Sequence, residues 1–134
     1  MPPDEKAVVP DPQRVPSRLV VKDFVDDMMV SSDPLPELAD MPGKEALMIT
    51  VEYPPGGSDP VHRHDAHAFV YVLEGSVVMQ VKGGKQVTLT PGQTFYEGPG
   101  DVHVVGRNAS RTKPARFLVL LLKNKGAPPL VPAQ

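Results

Sequence analysis

Three of the four histidines fall in one short run, His62-Arg63-His64-Asp65-Ala66-His67, and the fourth, His103, lies well downstream. Imidazole is the commonest protein ligand for a metal ion, and a divalent ion needs at least a third partner beyond a pair. In a β-strand, residues i and i+2 share a face with Cα atoms roughly 6.5–7 Å apart. His62 and His64 can therefore aim both rings at one point. His67 has the wrong parity for a straight strand and joins them only if the chain bends or bulges at Asp65-Ala66. His103 follows the turn Gly98-Pro99-Gly100, and its strand could lie beside the first and complete the site. A His-x-His pair by itself more often marks an exposed loop. Here the cluster follows a Pro-Pro-Gly-Gly turn, precedes a strand and is joined by a histidine after a second glycine-rich turn.

Tyr96 and Glu97 alternate on a short segment just before His103, so one of them faces inward. They are the candidate catalytic residues. Glu97 could act as a general base, a substitute ligand or a partner for a histidine N–H, or could be an exterior charge. Arg63 and Asp65 are expected to face solvent or pair with each other. Arg107, Arg111 and Lys113 read as a solvated basic loop. Cysteine is absent, which removes disulfides, thiolate ligands and cysteine nucleophiles. There is no Gly-x-Ser-x-Gly elbow and no phosphate-binding loop.

The elements that would hold these residues follow from composition and pattern. The chain has 134 residues, enough for one core; 40% are hydrophobic, 22% charged, and the net charge is -2. Near-neutral charge gives no reason to expect nucleic acid or an anionic membrane, and no stretch approaches the ~20 apolar residues of a membrane span. The 17 prolines and 11 glycines leave little room for long helices. None of the prolines falls in residues 61–90, where a regular ladder can run. Strand-like segments occupy residues 46–53, 68–73, 77–82, 86–90, 93–97, 102–105 and 117–123, the last the most apolar and expected to be central. Gly83-Gly84 reads as a hairpin turn. Short apolar runs at residues 19–21 and 28–30 are possible outer strands, and residues 31–44 read as an irregular loop. Phe69, Tyr71, Met79 and Phe95 are expected to line the core or a pocket. The result is an all-β sandwich or barrel.

At this point the sequence resembles the cupin superfamily. The first cupin motif places Gly, His-x-His, a Glu and a further Gly in order. Gly57, His62, His64 and Gly75 match it, with the spacer before His62 one residue short. The second motif is matched by Gly92, Gly100 and His103, with Asn108 one residue late and Gly98 where the family has Pro. The resemblance spans roughly residues 46–123. It implies a small antiparallel double-stranded β-helix, or jelly-roll barrel, with metal and substrate inside, and a homodimer. One departure matters: the family's Glu falls on Ala68. The ligand set is then His62, His64 and His103, with His67 as a fourth ligand or close neighbour. Three neutral imidazoles would leave a divalent ion at formal +2, with open positions for an oxygenated or anionic substrate. Such a set suits Fe, Ni, Zn or Cu better than Mn.

These readings give a flexible arm over residues 1–16, a cupin barrel over 17–125 and a flexible tail over 126–134. No basic and apolar leader opens the chain, as expected for a cytoplasmic protein or a mature secreted or periplasmic form. The function expected is that of a metal-dependent enzyme of dioxygenase, lyase or isomerase type, acting on a small oxygenated or carboxylate substrate. The competing expectation is a non-catalytic small-molecule binder, possibly without metal.

Overall fold

A computed structural model describes residues 17–20 and 29–133. The expected arm over residues 1–16, and Met28, lie outside them. Eleven strands follow in order: β1 (Ser17–Val20), β2 (Met29–Glu37), β3 (Lys44–Tyr53), β4 (His62–Arg63), β5 (Ala66–Glu74), β6 (Val77–Val81), β7 (Val87–Leu89), β8 (Thr94–Glu97), β9 (Val102–Asn108), β10 (Ala115–Asn124) and β11 (Val131–Pro132). All pairings are antiparallel. One sheet runs β1-β2-β3-β10-β5-β8 and the other β11-β4-β9-β6-β7. Among the described residues there is no helix, hence none long and apolar enough to cross a membrane. This is the jelly-roll arrangement of two sheets that the sequence resemblance implies.

Seven expected strands are present with small shifts at their ends, and β10 lies inside its sheet between β3 and β5, as its apolar run requires. The segment read as a loop over 31–44 is different. Its first seven residues continue β2 through Pro34 and Pro36 to Glu37. Among the described residues, pairing with β1 reaches Ser32, and the prolines lie past it on β2, where Pro34 pairs with Leu47 of β3.

The core is built by strict alternation. Tyr53, Val70, Val72, Val77, Met79, Phe117, Val119 and Leu121 turn inward. Phe69 and Tyr71, expected to line the core or a pocket, do not enter the core: they face outward with 46% of their surfaces exposed and line a pocket with Phe95 and Tyr96. The inward positions of β5 are Ala66, Ala68, Val70 and Val72, which are small or branched. A one-residue change of parity would put the aromatics where the histidines sit. Phe69 packs instead against Tyr96 and His67 on the outer face.

Asn108 locks the loops around the end of β9. Its Nδ2 donates to the carbonyls of Pro54 (3.1 Å) and Lys113 (2.7 Å), and its Oδ1 accepts from Ser110 N (2.8 Å). Gly75 makes the β5–β6 turn at φ +71°, and a Cβ there would lie 2.5 Å from the Pro114 carbonyl oxygen. Gly56 has a similar φ of +74° but open space around it. Gly56→Ala should therefore cost only the left-handed strain of about 1–2 kcal/mol. Gly75→Ala should cost clearly more, because the Pro114-Ala115 backbone must also move. Urea denaturation of the two variants checks this; equal losses would show that the 114–115 segment yields freely.

Candidate metal centre

β4 and β9 bring the site together. Their register sets His62 directly opposite His103 and Arg63 opposite Val102. The His62 and His103 ring centroids are 4.8 Å apart, and those of His62 and His64 5.0 Å. All three histidines are buried. Arg63 turns away and pairs with Asp65 (3.3 Å). The chain bends through His64-Asp65 between β4 and β5. After that bend Ala66 and Ala68 point inward, and His67 points outward.

His67 and Tyr96 thus stand apart from the sites expected for them. The His67 ring nitrogen Nδ1 is 2.6 Å from the Tyr96 hydroxyl, and their rings stack at 5.9 Å on the outer face. A bend was needed at Asp65-Ala66 to bring His67 inside; the chain bends one residue earlier, at His64-Asp65, so that Ala66 takes the inner position.

Glu97 takes the place left by Ala68. The two are Cα partners across the β5–β8 ladder, and both are buried. The Ala68 methyl leaves room for a longer side chain from the adjoining strand. The Glu97 carboxylate reaches the histidines, with Oε2 3.1 Å from His103 Nδ1 and 3.8 Å from His64 Nε2. The expected alternation of Tyr96 and Glu97 resolves with Glu97 inside. One ligand atom from each of His62, His64 and Glu97 lies within 4.8 Å of the others.

Two backbone carbonyls orient the histidines. Pro60 O is 3.0 Å from His62 Nδ1, and Pro129 O is 2.7 Å from His64 Nδ1. A carbonyl can only accept, so Nδ1 carries the proton in both rings and Nε2 keeps its lone pair. For His64 that Nε2 is the atom facing Glu97.

The electrostatics follow from burial and neighbours. Burial, reinforced by the charge of His103, pushes the His62 pKa down to about 4. His62 is therefore neutral and available as a ligand at neutral pH. Burial opposes a charged His103, but the Glu97 carboxylate beside it more than offsets this and raises its pKa. Burial likewise works against an ionised Glu97, yet His103, then His64 and His62, hold its pKa below the usual carboxylate value.

The residues present fit a metal ion. Glu97 Oε1 and His103 Nε2 are buried without a hydrogen-bond partner, while His103 Nδ1 faces Glu97 Oε2 at 3.1 Å. Unpaired buried polar atoms are costly and rare, and a cation among them would satisfy them together. Three imidazoles and one carboxylate are a common donor set for divalent transition metals.

Behind His103 lies a second polar pair. The Tyr53 hydroxyl donates to Asp59 Oδ2. A Cβ on Gly106 would fall 3.0 Å from Asp59 Oδ2, 3.0 Å from His103 Nε2 and 3.1 Å from Tyr53 Oη. Only glycine lets these three groups gather over the β9 backbone. No motif in the sequence pointed to Asp59 or Tyr53; they meet His103 through the loop between β3 and β4.

Burial raises the Asp59 pKa to about 6, against opposing pulls from Tyr53 and His103. The folded chain therefore holds this proton more tightly than the unfolded chain, where it leaves near the ordinary aspartate value of 3.8. The stabilising contribution is complete below that value and is lost as pH rises through about 6. Asp59→Asn should remove this dependence. Its melting temperature should exceed that of the wild type above pH 6, with the gap closing toward pH 4. A variant less stable than wild type at pH 8 would mean that the ionised carboxylate is well paired.

The cupin domain family model matches residues 49–121, more than half of the chain. No curated protein matches. Among solved structures, one described as a predicted oxalate decarboxylase from Thermotoga maritima is 23% identical. The alignment covers 87% of this chain and 98% of that one, with a TM-score of 0.61. The polyketide cyclase RemF from Streptomyces resistomycificus is 22% identical, with 95% of this chain and 86% of that one covered and a TM-score of 0.64. A cupin-like protein from Thermotoga maritima is 18% identical, with 92% and 89% covered and a TM-score of 0.64. The domain match, the two sheets and the inward histidines on β4 and β9 agree, and the chain belongs to the cupin family.

Proposed function

We propose that His62, His64, Glu97 and His103 bind a divalent transition metal, and that the protein is an enzyme of dioxygenase, lyase or isomerase type. Its substrate is a small oxygenated or carboxylate compound held in the barrel. One observation carries this reading: a buried carboxylate and three buried imidazoles converge, with Glu97 Oε1 and His103 Nε2 unpartnered. A bound divalent ion would supply Lewis acidity to a substrate oxygen at this site.

The chain's own residues would do the rest. His62 and His64 present Nε2 because carbonyls hold their Nδ1 protons. Glu97 brings a negative charge, so the site would carry formal +1 rather than the +2 of a three-histidine set. That addition broadens the metals the site suits, since carboxylate oxygen is also a good ligand for Mn. The names of two similar structures, a predicted oxalate decarboxylase and a polyketide cyclase, accord with an oxygenated substrate.

The register across β5 and β8 offers a direct test. Untagged protein, purified without a nickel column, should carry about one equivalent of metal by elemental analysis. His62→Ala and Glu97→Ala should lose it. Adding Ala68→Glu to Glu97→Ala should restore it, because a carboxylate from either partner position reaches the same inner face. Metal below about a tenth of an equivalent, with no uptake of Fe, Mn, Co, Ni or Zn on reconstitution, would overturn the metal reading and leave a metal-free small-molecule binder.

A further inference from the structure

The residues from 126 onward were expected to be a loose tail. Instead the chain turns back after β10 and lays β11 along β4, the two-residue strand that starts the histidine run. Val131 pairs with Arg63, and Pro132 with His62. Ala133 N adds a bond to Val61 O (3.3 Å). β4 has β9 on its other side, so the returning segment supplies half of its strand pairing.

The root of this segment is fastened. Lys123 is buried at 5% exposure, which is unusual for a lysine unless paired. Its Nζ donates to Glu45 Oε1 and to Ala127 O (2.7 Å). Glu45 Oε1 also accepts from Gly126 N (3.0 Å). The same contacts hold the Glu45 pKa below its usual value, Lys123 first and Gly126 second. Gly126 reverses the chain at φ +81°, and Ala127 N closes the turn on Asn124 O (3.0 Å).

Between this root and β11 lies Pro129, whose carbonyl accepts the Nδ1 proton of His64 at 2.7 Å. The neutral side chain of free histidine in water favours the other tautomer, with the proton on Nε2. The Pro129 carbonyl therefore does more than touch the ring. It selects the form whose Nε2 lone pair faces Glu97.

We propose that residues 126–133 are a strap that holds His64 in its metal-binding tautomer and orientation, and that the Lys123–Glu45 pair is its buckle. The proposal rests on the reading of the histidine cluster as a metal site. Loosening the buckle weakens metal binding although every ligand is intact. Pro129 is a positioning residue, acting through its backbone.

The test uses the full chain with either Lys123→Met or Gly126→Val. Lys123→Met keeps an apolar stem in β10 and removes the donor. Gly126→Val acts through the backbone, since no atom lies within 4 Å of a Cβ there; it stands in if the lysine variant fails to fold. Three readouts are taken: hydrogen exchange at the Ala133 amide, the His64 tautomer by long-range proton–nitrogen NMR of the metal-free chain, and cobalt(II) titration. Expected are faster Ala133 exchange, a shift of His64 toward the Nε2-protonated form, and a cobalt Kd raised about tenfold, in line with loss of an outer partner of a ligating histidine. Unchanged Ala133 exchange in both variants overturns the buckle. Faster exchange with an unchanged His64 tautomer and Kd overturns the strap. A wild type that binds no cobalt sinks the metal reading alone, because the tautomer in the metal-free chain still reports on the strap.

Discussion

Four ionisable side chains are taken out of water on the inner faces of two β-sheets, and the surrounding structure is arranged to make that tolerable. A buried charge or an unpaired polar atom costs more than most single apolar contacts return. Pro60 and Pro129 offer carbonyls to two rings. Glu97 sits beside His103, so its negative charge favours a protonated His103 and is itself held ionised against burial. Ala66 and Ala68 keep the neighbouring inner positions of β5 small. Gly106 removes the one Cβ that would push His103 away from Asp59 and Tyr53. Each choice looks local in the sequence, and each answers the same demand.

The relation between Ala68 and Glu97 shows how a β-sheet can move a functional group without moving the site. Two residues that face each other across an antiparallel pair have side chains on the same face and close together. A carboxylate lost from one strand can be supplied by the next, provided that the register is kept. The position vacated must become small, as alanine does here. The carboxylate of Glu97 thus reaches the inner face beside Ala68 from one strand further along the sheet.

This is also the boundary of what the sequence made legible. The strand segments from residue 44 to 124 followed from alternation and turn residues, because period-two burial and glycine or proline punctuation are written in the order of the residues. The pair His62 and His64 followed from parity, and His103 from its place after a glycine turn. What escaped depended on pairing between distant segments. Glu97 could be narrowed to a few roles, but its selection as an inner residue needed the β5–β8 register. His67 was misplaced because a bend at residues 64–65 can shift parity either way. The short strands β4 and β11 have no hydrophobic pattern of their own; β4 is held between β9 and β11, and β11 pairs with β4. Phe69 and Tyr71 were expected from alternation to line the core or a pocket; they line a pocket on the outer face, and the small residues of β5 take the inner positions beside the histidines.

The prolines tie these points together. Pro34 and Pro36 lie on β2, and Pro132 lies on β11, the end strand of its sheet among the described residues. An edge strand exposes unpaired N–H groups that invite further pairing with other chains. Proline has no N–H to expose and cannot extend the ladder. It also enters with φ already fixed, so a segment built on Pro128, Pro129 and Pro132 loses less entropy when it is laid along β4. A flexible polar tail could reach the same place but would hold it less often. The residues that made the ends of the chain look structureless are therefore well suited to holding a carbonyl against His64 and to ending the sheet there.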